Sequence, residues 1–84
     1  MYEVYLERQA ERDLRRLSRE NFRRIVRRIK TLANNPRPSG SRKIVGSQSD
    51  WRIRVGDYRI LYEVDDTSQC VRVMRVLHRR EAYG

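Results

Sequence analysis

Apolar and polar residues alternate along residues 51–64 (WRIRVGDYRILYEV), and this pattern predicts a β-hairpin. The two-residue connection at 56–57, Gly-Asp, suits a type II′ turn between the two strands. Because such a turn sets the register, Arg54 lies directly opposite Arg59, and Arg52 shares their face. The other face carries the apolar and aromatic side chains Trp51, Ile53, Val55, Tyr58, Ile60 and Tyr62.

The first half of the chain shows mainly helical periodicity. Residues 1–6 alternate as a short strand does, and apolar positions at helical spacing then predict a first helix over residues 8–17. A second helix is indicated by apolar residues from position 22 to position 33, and Ser18 is placed to cap it. This helix is expected to end at the loop of residues 34–41, which contains both prolines.

Strand patterns dominate beyond this loop. Residues 42–45 predict a short strand, the hairpin follows, and residues 70–77 predict a last strand after an acidic turn. The order β-α-α-β-β-β-β indicates an α+β fold, a curved and mainly antiparallel sheet with a two-helix hairpin packed on one face. Residues 1–84 form a single domain in this interpretation. The arginine face of the β-hairpin is then open to solvent, where a groove can form.

The charge of the chain is strongly positive. Its 20 Lys and Arg residues exceed its 11 Asp and Glu residues, for a net charge of +9, and 18 of the basic residues are Arg. Arginine binds phosphate in a bidentate manner, stacks on bases and keeps its charge, whereas lysine is a hydrated point charge. The composition therefore favours a nucleic acid or an acidic protein as the partner.

Cysteine and histidine usage argues against a structural zinc site. Cys70 and His78 are the single cysteine and the single histidine, so they cannot supply the usual number of ligands. We therefore expect a metal-independent protein without a cofactor. No apolar run approaches the ~18 residues of a membrane span, and the N-terminus lacks the apolar core of a signal peptide. These features predict a complete, cytoplasmic chain without a membrane partner.

The arginine face of the hairpin is the first candidate site. Two guanidinium groups directly across a strand pair repel each other by a few tenths to ~1 kcal/mol, and an anion that bridges them removes this penalty. The alternative is a solvated polar face, on which water screens like charges. The helical arginines leave similar alternatives open: a solvated surface, or attraction of RNA or of an acidic partner.

The C-terminal segment is the second candidate site. His78, Arg79, Arg80, Glu81 and Tyr83 follow the last strand within six residues. Because imidazole changes its protonation near neutral pH, His78 is a candidate for proton transfer. The alternative is a polar tail, in which Tyr83 packs on the sheet and His78 faces water.

Several segments together resemble the RelE/ParE superfamily of bacterial type II toxins. They are RVGDYRILYEV in the hairpin, VLHRREAY at the C-terminus and the β-α-α order before them, and the resemblance extends to residues 34–38 and to Arg42 and Lys43. Members are small basic α+β proteins that a cognate antitoxin keeps inactive. The RelE-like branch cuts mRNA in the ribosomal A site, and the ParE-like branch poisons DNA gyrase.

The resemblance favours the RelE-like branch and implies a set of site residues. These are Arg59, Arg79 and Tyr83 for catalysis, and Arg52, Arg54, Arg80, Arg42 and Lys43 for RNA binding. The chemistry of the C-terminal cluster adds His78 and Glu81 as catalytic candidates. Arg79 and Arg80 can exchange in this alignment. The terminal Tyr83 is typical of the RelE-like branch, whereas the Val-Leu-His run at residues 76–78 is also found in the ParE-like branch.

A RelE-like enzyme would cut RNA without a metal, by attack of the ribose 2′-OH on the adjacent 3′-phosphate. Arg59 and Arg79 fit stabilisation of the charge that develops on the phosphate oxygens. Some relatives carry Lys where this chain has Arg52 and Arg54, and arginine is a poor proton carrier because it keeps its proton. The candidates for proton transfer are, in order, Tyr83, His78 and Glu81. Tyr83 alternatively stacks on a base without moving a proton.

Three functions therefore remain open. The first is a ribosome-dependent mRNA endonuclease, whose partners are the ribosome with its mRNA and a cognate antitoxin. The second is a ParE-like inhibitor of DNA gyrase, and the third is an RNA-binding module that does not cleave. An acidic, partly disordered antitoxin segment would cover Arg52, Arg54 and Arg59.

Overall fold

Five strands and three helices make up the protein in a computed structural model, which describes residues 1–82 in full and the backbone of Tyr83. The strands are β1 (Glu3–Leu6), β2 (Arg42–Lys43), β3 (Asp50–Val55), β4 (Tyr58–Asp65) and β5 (Cys70–His78). The helices are α1 (Arg8–Arg15), α2 (Arg19–Thr31) and α3 (Arg79–Tyr83). None of the helices in this part of the chain is long and apolar enough to cross a membrane.

The strands form one mixed sheet in the order β1-β5-β4-β3-β2. The β1 strand runs parallel to β5, and the other neighbours are antiparallel, which confirms the α+β prediction. In the hairpin of β3 and β4, Arg54 pairs with Arg59 as predicted. Gly56 has a φ of 59°, the value that the first central position of a type II′ turn requires and that glycine adopts without strain.

The apolar face of the sheet is covered by α1 and α2, as the sequence pattern predicts. The helices contribute Ala10, Leu14, Ile25 and Ile29 to the core, and the sheet contributes Ile53, Ile60, Tyr62, Val64, Val71, Val73 and Val76. All of these residues are buried. Burial of this continuous apolar surface holds the helical hairpin against the sheet and leaves the opposite face uncovered by α1 and α2.

The first two helices end earlier than the sequence pattern predicts, α1 at Arg15 rather than residue 17 and α2 at Thr31 rather than residue 33. The α2 helix starts at Arg19, where Ser18 accepts a hydrogen bond from the Asn21 N–H at 3.2 Å, so the predicted cap is confirmed. The α3 helix was not predicted, because the sequence pattern left residues 79–83 outside any helix or strand. This helix is too short to show helical periodicity in the sequence, and tertiary hydrogen bonds fix its first turn.

A buried carboxylate joins α1 to β5. Asp13 is 6% exposed and accepts hydrogen bonds from Arg75 Nε at 2.9 Å, from Arg75 Nη2 at 3.3 Å and from the Val76 N–H at 2.9 Å. Burial raises the pKa of Asp13, but the bonds from Arg75 and Val76 outweigh it and hold the pKa below its ordinary value. The pairing therefore stabilises the folded state whenever Asp13 is ionised.

We expect Asp13→Asn to lower the free energy of unfolding by about 1.5 to 3 kcal/mol at neutral pH, because hydrogen bonds to a charged group are lost. The folded pKa lies below the unfolded value of about 3.9, so this contribution is complete above that pH and disappears as the pH falls through the folded pKa. Urea titrations at several pH values measure the difference between the two proteins.

The matched control is Glu11→Gln on the same helix. Glu11 pairs with Arg15 at 3.8 Å, and both side chains are exposed, so its loss should cost less than about 0.5 kcal/mol. Equal losses for the two variants, or a difference between Asp13→Asn and the wild type that persists unchanged down to pH 2, would contradict this account of Asp13.

Candidate nucleic-acid groove

A groove of about 530 Å³ opens on the sheet beside the hairpin. Strand register brings its cations together, since Arg54 pairs with Arg59 across the hairpin and Arg42 of β2 pairs with Arg52 of β3. The residues that line it are Arg28, Ser39, Gly40, Arg42, Arg52, Ile53, Arg54, Gly56 and Arg59. Four of the predicted site residues thus lie in one groove, and no carboxylate is found among its described lining residues.

The two central arginines of the groove differ in exposure. Arg54 is exposed and donates from Nε to the Gly56 carbonyl at 3.2 Å. Arg59 is only 8% exposed and donates from Nη1 to the Tyr58 carbonyl at 3.1 Å. The prediction of a solvent-open arginine face thus holds for Arg54 and for Arg52, but the Arg59 side chain is buried in the wall of the groove. A cation that is already fixed in position loses little conformational freedom when it binds an anion.

The loop between α2 and β2 forms one wall of the groove and is anchored at its base. Tyr62 is buried, and its hydroxyl donates to the Pro36 carbonyl at 2.7 Å. Arg37 donates to Asp66 at 2.7 Å, and its guanidinium lies 5.4 Å from the centre of the Trp51 ring. The hydrogen bond from Arg37 also lowers the pKa of Asp66. These contacts place the following residues of the loop beside the strands.

His78 and Glu81 line a different, smaller cavity of about 190 Å³, together with Asp13, Arg16, Leu17, Tyr58 and Val76. The His78 ring packs edge-on against Tyr58, with 5.4 Å between ring centres. Tyr58 belongs to the apolar set of the hairpin, so His78 lies on the helix side of the sheet. The structure therefore does not bring His78 or Glu81 into the arginine groove.

A β-bulge decides this orientation of His78. Along β5, Val73 pairs with Tyr62 and Arg75 pairs with Leu61, so Met74 is the extra residue. An extra residue reverses the faces of all later positions, because side chains alternate with a period of two. Val76 consequently joins the core, and His78 follows it on the same side.

Reciprocal hydrogen bonds cap the N-terminus of α3. His78 Nδ1 accepts from the Arg80 N–H at 3.2 Å, and the Glu81 carboxylate accepts from the His78 N–H at 3.1 Å. The Arg79 N–H donates to the Asp57 carbonyl of the hairpin turn at 2.7 Å. His78 and Glu81 thus fasten the C-terminal helix to the tip of the hairpin.

The remaining predicted residues lie around these two cavities. Lys43, Arg79 and Arg80 are exposed and belong to neither set of lining residues described above. The side chain of Tyr83 lies outside the described residues, as does Gly84. Within residues 1–82, no group of three or more His, Cys, Asp or Glu side chains is arranged to hold a metal ion.

Five lining residues were not among the predicted site residues: Arg28 of α2, Ser39 and Gly40 of the loop, and Ile53 and Gly56 of the hairpin. The helical pattern shows only that Arg28 lies off the apolar stripe, and the strand register does not say where α2 crosses the sheet. Arg28 could have been singled out by its position, because it borders the apolar stripe of α2 and lies one helical turn before the loop.

The groove is suited to binding anions. Its described cations are all guanidinium groups, which match the geometry of phosphate oxygens and do not release protons at neutral pH. Such a surface positions a phosphodiester and stabilises additional charge on it. None of the described groove side chains is suited to accept or donate a proton in that chemistry.

Known proteins resemble this chain over nearly its whole length. Residues 4–83 match the family model of the ParE toxin of type II toxin-antitoxin system, parDE. The RelE1 protein of Methanocaldococcus jannaschii is 26% identical over 85 residues, which cover 98% of this chain and 94% of that protein.

Solved structures share the fold. The archaeal RelE-RelB complex from Pyrococcus horikoshii contains a chain with a TM-score of 0.83 at 25% identity, covering 93% of this chain and 94% of its own. The RelB-RelE antitoxin-toxin complex from Methanococcus jannaschii contains one with a TM-score of 0.80 at 30% identity, covering 95% of both chains. The chain belongs to the ParE toxin family and is thus a type II toxin of the RelE/ParE superfamily.

Proposed function

We propose that this toxin is a ribosome-dependent endonuclease that cuts mRNA in the A site without a metal. The observation that carries the proposal is the groove itself, in which Arg28, Arg42, Arg52, Arg54 and Arg59 converge with no described carboxylate. A phosphodiester backbone supplies the negative charge that such a groove lacks. A shallow groove also suits a substrate that a larger partner holds in place.

The cleavage step needs alignment, charge stabilisation and two proton transfers. The 2′ oxygen loses its proton and forms a bond to the adjacent phosphorus, and the bond from phosphorus to the 5′ oxygen breaks. The leaving 5′ oxygen takes up a proton, so that the products are a 2′,3′-cyclic phosphate and a 5′-OH. In this proposal Arg59 and Arg79 stabilise the phosphate charge in the transition state.

The other basic residues hold the strand on either side of the cut. Arg52, Arg54 and Arg42 contact backbone phosphates within the groove, and Lys43 and Arg80 extend this surface. Such contacts position the substrate without reading its sequence. Base recognition in this scheme comes from the codon paired on the ribosome.

Tyr83 is the first candidate for proton transfer in this proposal. His78 is less suited, because its Nδ1 already accepts the Arg80 N–H and its ring packs against Tyr58. Glu81 is engaged by the His78 N–H in the same cap. We therefore assign His78 and Glu81 to positioning α3, which carries Arg79.

For His78→Ala we expect cleavage to slow by about fivefold at every pH between 6 and 8, because losing a helix cap costs about 1 kcal/mol. The shape of the pH profile should not change. His78→Asn should restore most of the rate, since its side-chain oxygen can accept the Arg80 N–H. Single-turnover cleavage across this pH range tests both statements. A profile that becomes flat in both variants would instead assign proton transfer to His78.

A cognate antitoxin is the proposed cellular partner. The solved relatives include RelB-RelE antitoxin-toxin complexes, and a net charge of +9 favours an acidic segment. Covering Arg52, Arg54 and Arg59 would block the groove. Antitoxin binding and RNA binding should therefore exclude each other.

The experiment that tests the function is primer extension on a defined mRNA in a reconstituted translation system, with and without ribosomes. We expect cuts within codons only when ribosomes are present. The cut ends should be a 2′,3′-cyclic phosphate and a 5′-OH. Efficient cutting of free mRNA would contradict the ribosome-dependent mechanism, and the absence of cutting under both conditions would contradict the nuclease.

A second candidate function is inhibition of DNA gyrase. It is favoured by the matching family model, whose description is the ParE toxin of parDE. Expression in cells would then trap gyrase on DNA and induce the SOS response while translation continues. Measuring both the gyrase–DNA complexes and protein synthesis separates the two functions.

A further inference from the structure

The arginine groove does not stop at the sheet, because Arg28 of α2 also lines it. Arg28 lines the groove with the strand arginines and is half-buried. Ser39 and Gly40 of the loop line the groove together with it. Arg28 therefore occupies the corner between α2, the loop and the hairpin.

Arg24 lies one turn earlier on the same helix and reaches the hairpin turn. A Cβ atom built on Gly56 would lie 2.9 Å from Arg24 Nη2 and 3.4 Å from Arg24 Nη1. The guanidinium thus rests directly over the glycine, which also lines the groove. Because glycine has no side chain, cations of α2 and of the strands adjoin each other across the turn.

These helical cations are not neutralised by the protein. Among the described residues, the ion pairs involve Arg15, Arg37, Arg72 and Arg75, and none includes Arg24 or Arg28. Unneutralised cations that lie close together repel each other, and a bound polyanion relieves that repulsion. The charge is therefore available for a ligand.

The lining favours a phosphate backbone over an acidic protein segment. The single apolar side chain among the described lining residues is Ile53, which is 1% exposed. A protein partner binds through buried apolar anchors as well as charge, so an antitoxin that covers these arginines would take its apolar contacts outside the groove. Nucleic-acid backbones are bound by charge and hydrogen bonds alone.

We propose that Arg24 and Arg28 form a binding site for the phosphates of the RNA strand that flanks the cleaved nucleotide, continuing the groove past Gly56 onto α2. This inference rests on the proposed RNA substrate. It assigns to two helical arginines a positioning role that neither the strand register nor the helix pattern reveals. The strand would leave the sheet at the hairpin turn and follow α2.

The test is binding of a fluorescent, fully 2′-O-methylated RNA decamer, which cannot be cut through its 2′ oxygens, measured by anisotropy at several salt concentrations. Arg28→Gln and Arg24→Gln should each weaken binding by about three- to tenfold. Each should also reduce the slope of log affinity against log salt by about 0.7, the value for one lost contact to single-stranded nucleic acid.

Arg23→Gln is the matched control, because it removes the same charge from an exposed position of α2 outside the groove. It should change affinity by less than twofold. Arg28→Lys should retain the salt slope while losing part of the affinity, since it keeps the charge but not the bidentate geometry. Circular dichroism of each variant establishes that the fold is intact.

Equal weakening by Arg23→Gln and Arg28→Gln would overturn the inference, because net charge alone would then explain the binding. Unchanged RNA binding in Arg28→Gln, with weaker binding of polyglutamate, would overturn it in favour of an acidic protein partner. A wild-type protein that binds RNA through Arg28 yet never cuts mRNA on ribosomes would contradict the proposed nuclease and leave this site supported.

Discussion

Arg59→Ala is expected to slow ribosome-dependent cleavage of mRNA by about 10²- to 10³-fold, the usual loss when one fixed donor to transition-state charge is removed. Arg59 is 8% exposed and its guanidinium is held by the Tyr58 carbonyl, so it needs little reorganisation as charge develops on the phosphate. Its place directly opposite Arg54 concentrates positive charge at that point of the groove. Single-turnover cleavage on programmed ribosomes measures the effect.

The control for Arg59→Ala is Arg23→Ala, which removes an exposed charge outside the groove and should slow cleavage by less than twofold. Because Arg59 is buried, its replacement also changes packing. Arg59→Lys keeps a cation at the position and should lose less activity than Arg59→Ala. If all three variants unfold at the same urea concentration and cut at the wild-type rate, Arg59 has no part in the chemistry.

Tyr83→Phe is expected to slow cleavage by about 10²-fold or more, which is the usual contribution of a group that transfers a proton. The described groove side chains cannot take this role, because they are arginines and neutral groups that hold their protons. His78 and Glu81 are engaged in the cap of α3 instead. Tyr83 is thus the remaining candidate among the residues singled out in the sequence.

The same substitution separates proton transfer from base stacking. Phenylalanine retains the ring, so stacking and substrate affinity should persist while the rate of the chemical step falls. Tyr83→Ala should lose both. Wild-type cleavage by Tyr83→Phe, with loss only in Tyr83→Ala, would restrict Tyr83 to stacking and leave proton transfer to the substrate or the ribosome.

The site could be predicted in part. Arg52, Arg54 and Arg59 were identified from alternation and turn chemistry and Arg42 from the family resemblance, and the structure brings them into one groove. Arg28 was not, because its place depends on where α2 crosses the sheet. His78 was included among the catalytic candidates because imidazole changes its protonation near neutral pH, but the bulge at Met74 turns it towards the helices.

The sequence by itself determined the order of the first two helices and the five strands, the hairpin register and the two faces of the hairpin. These features depend on local rules: alternation with a period of two, helical spacing of apolar residues, and the backbone preference of Gly56. Each involves residues close together in the chain. These features can therefore be predicted without knowledge of the tertiary packing.

Only the tertiary structure decided which charged residues share a cavity. The α3 helix depends on the Arg79 N–H reaching the Asp57 carbonyl, and the groove wall depends on Tyr62 holding Pro36, contacts between distant parts of the chain. Single hydrogen bonds of this kind leave no periodic pattern, and a one-residue bulge reverses a face without changing composition. Long-range packing thus forms the groove, whereas the strand arginines that line it could be identified from the sequence.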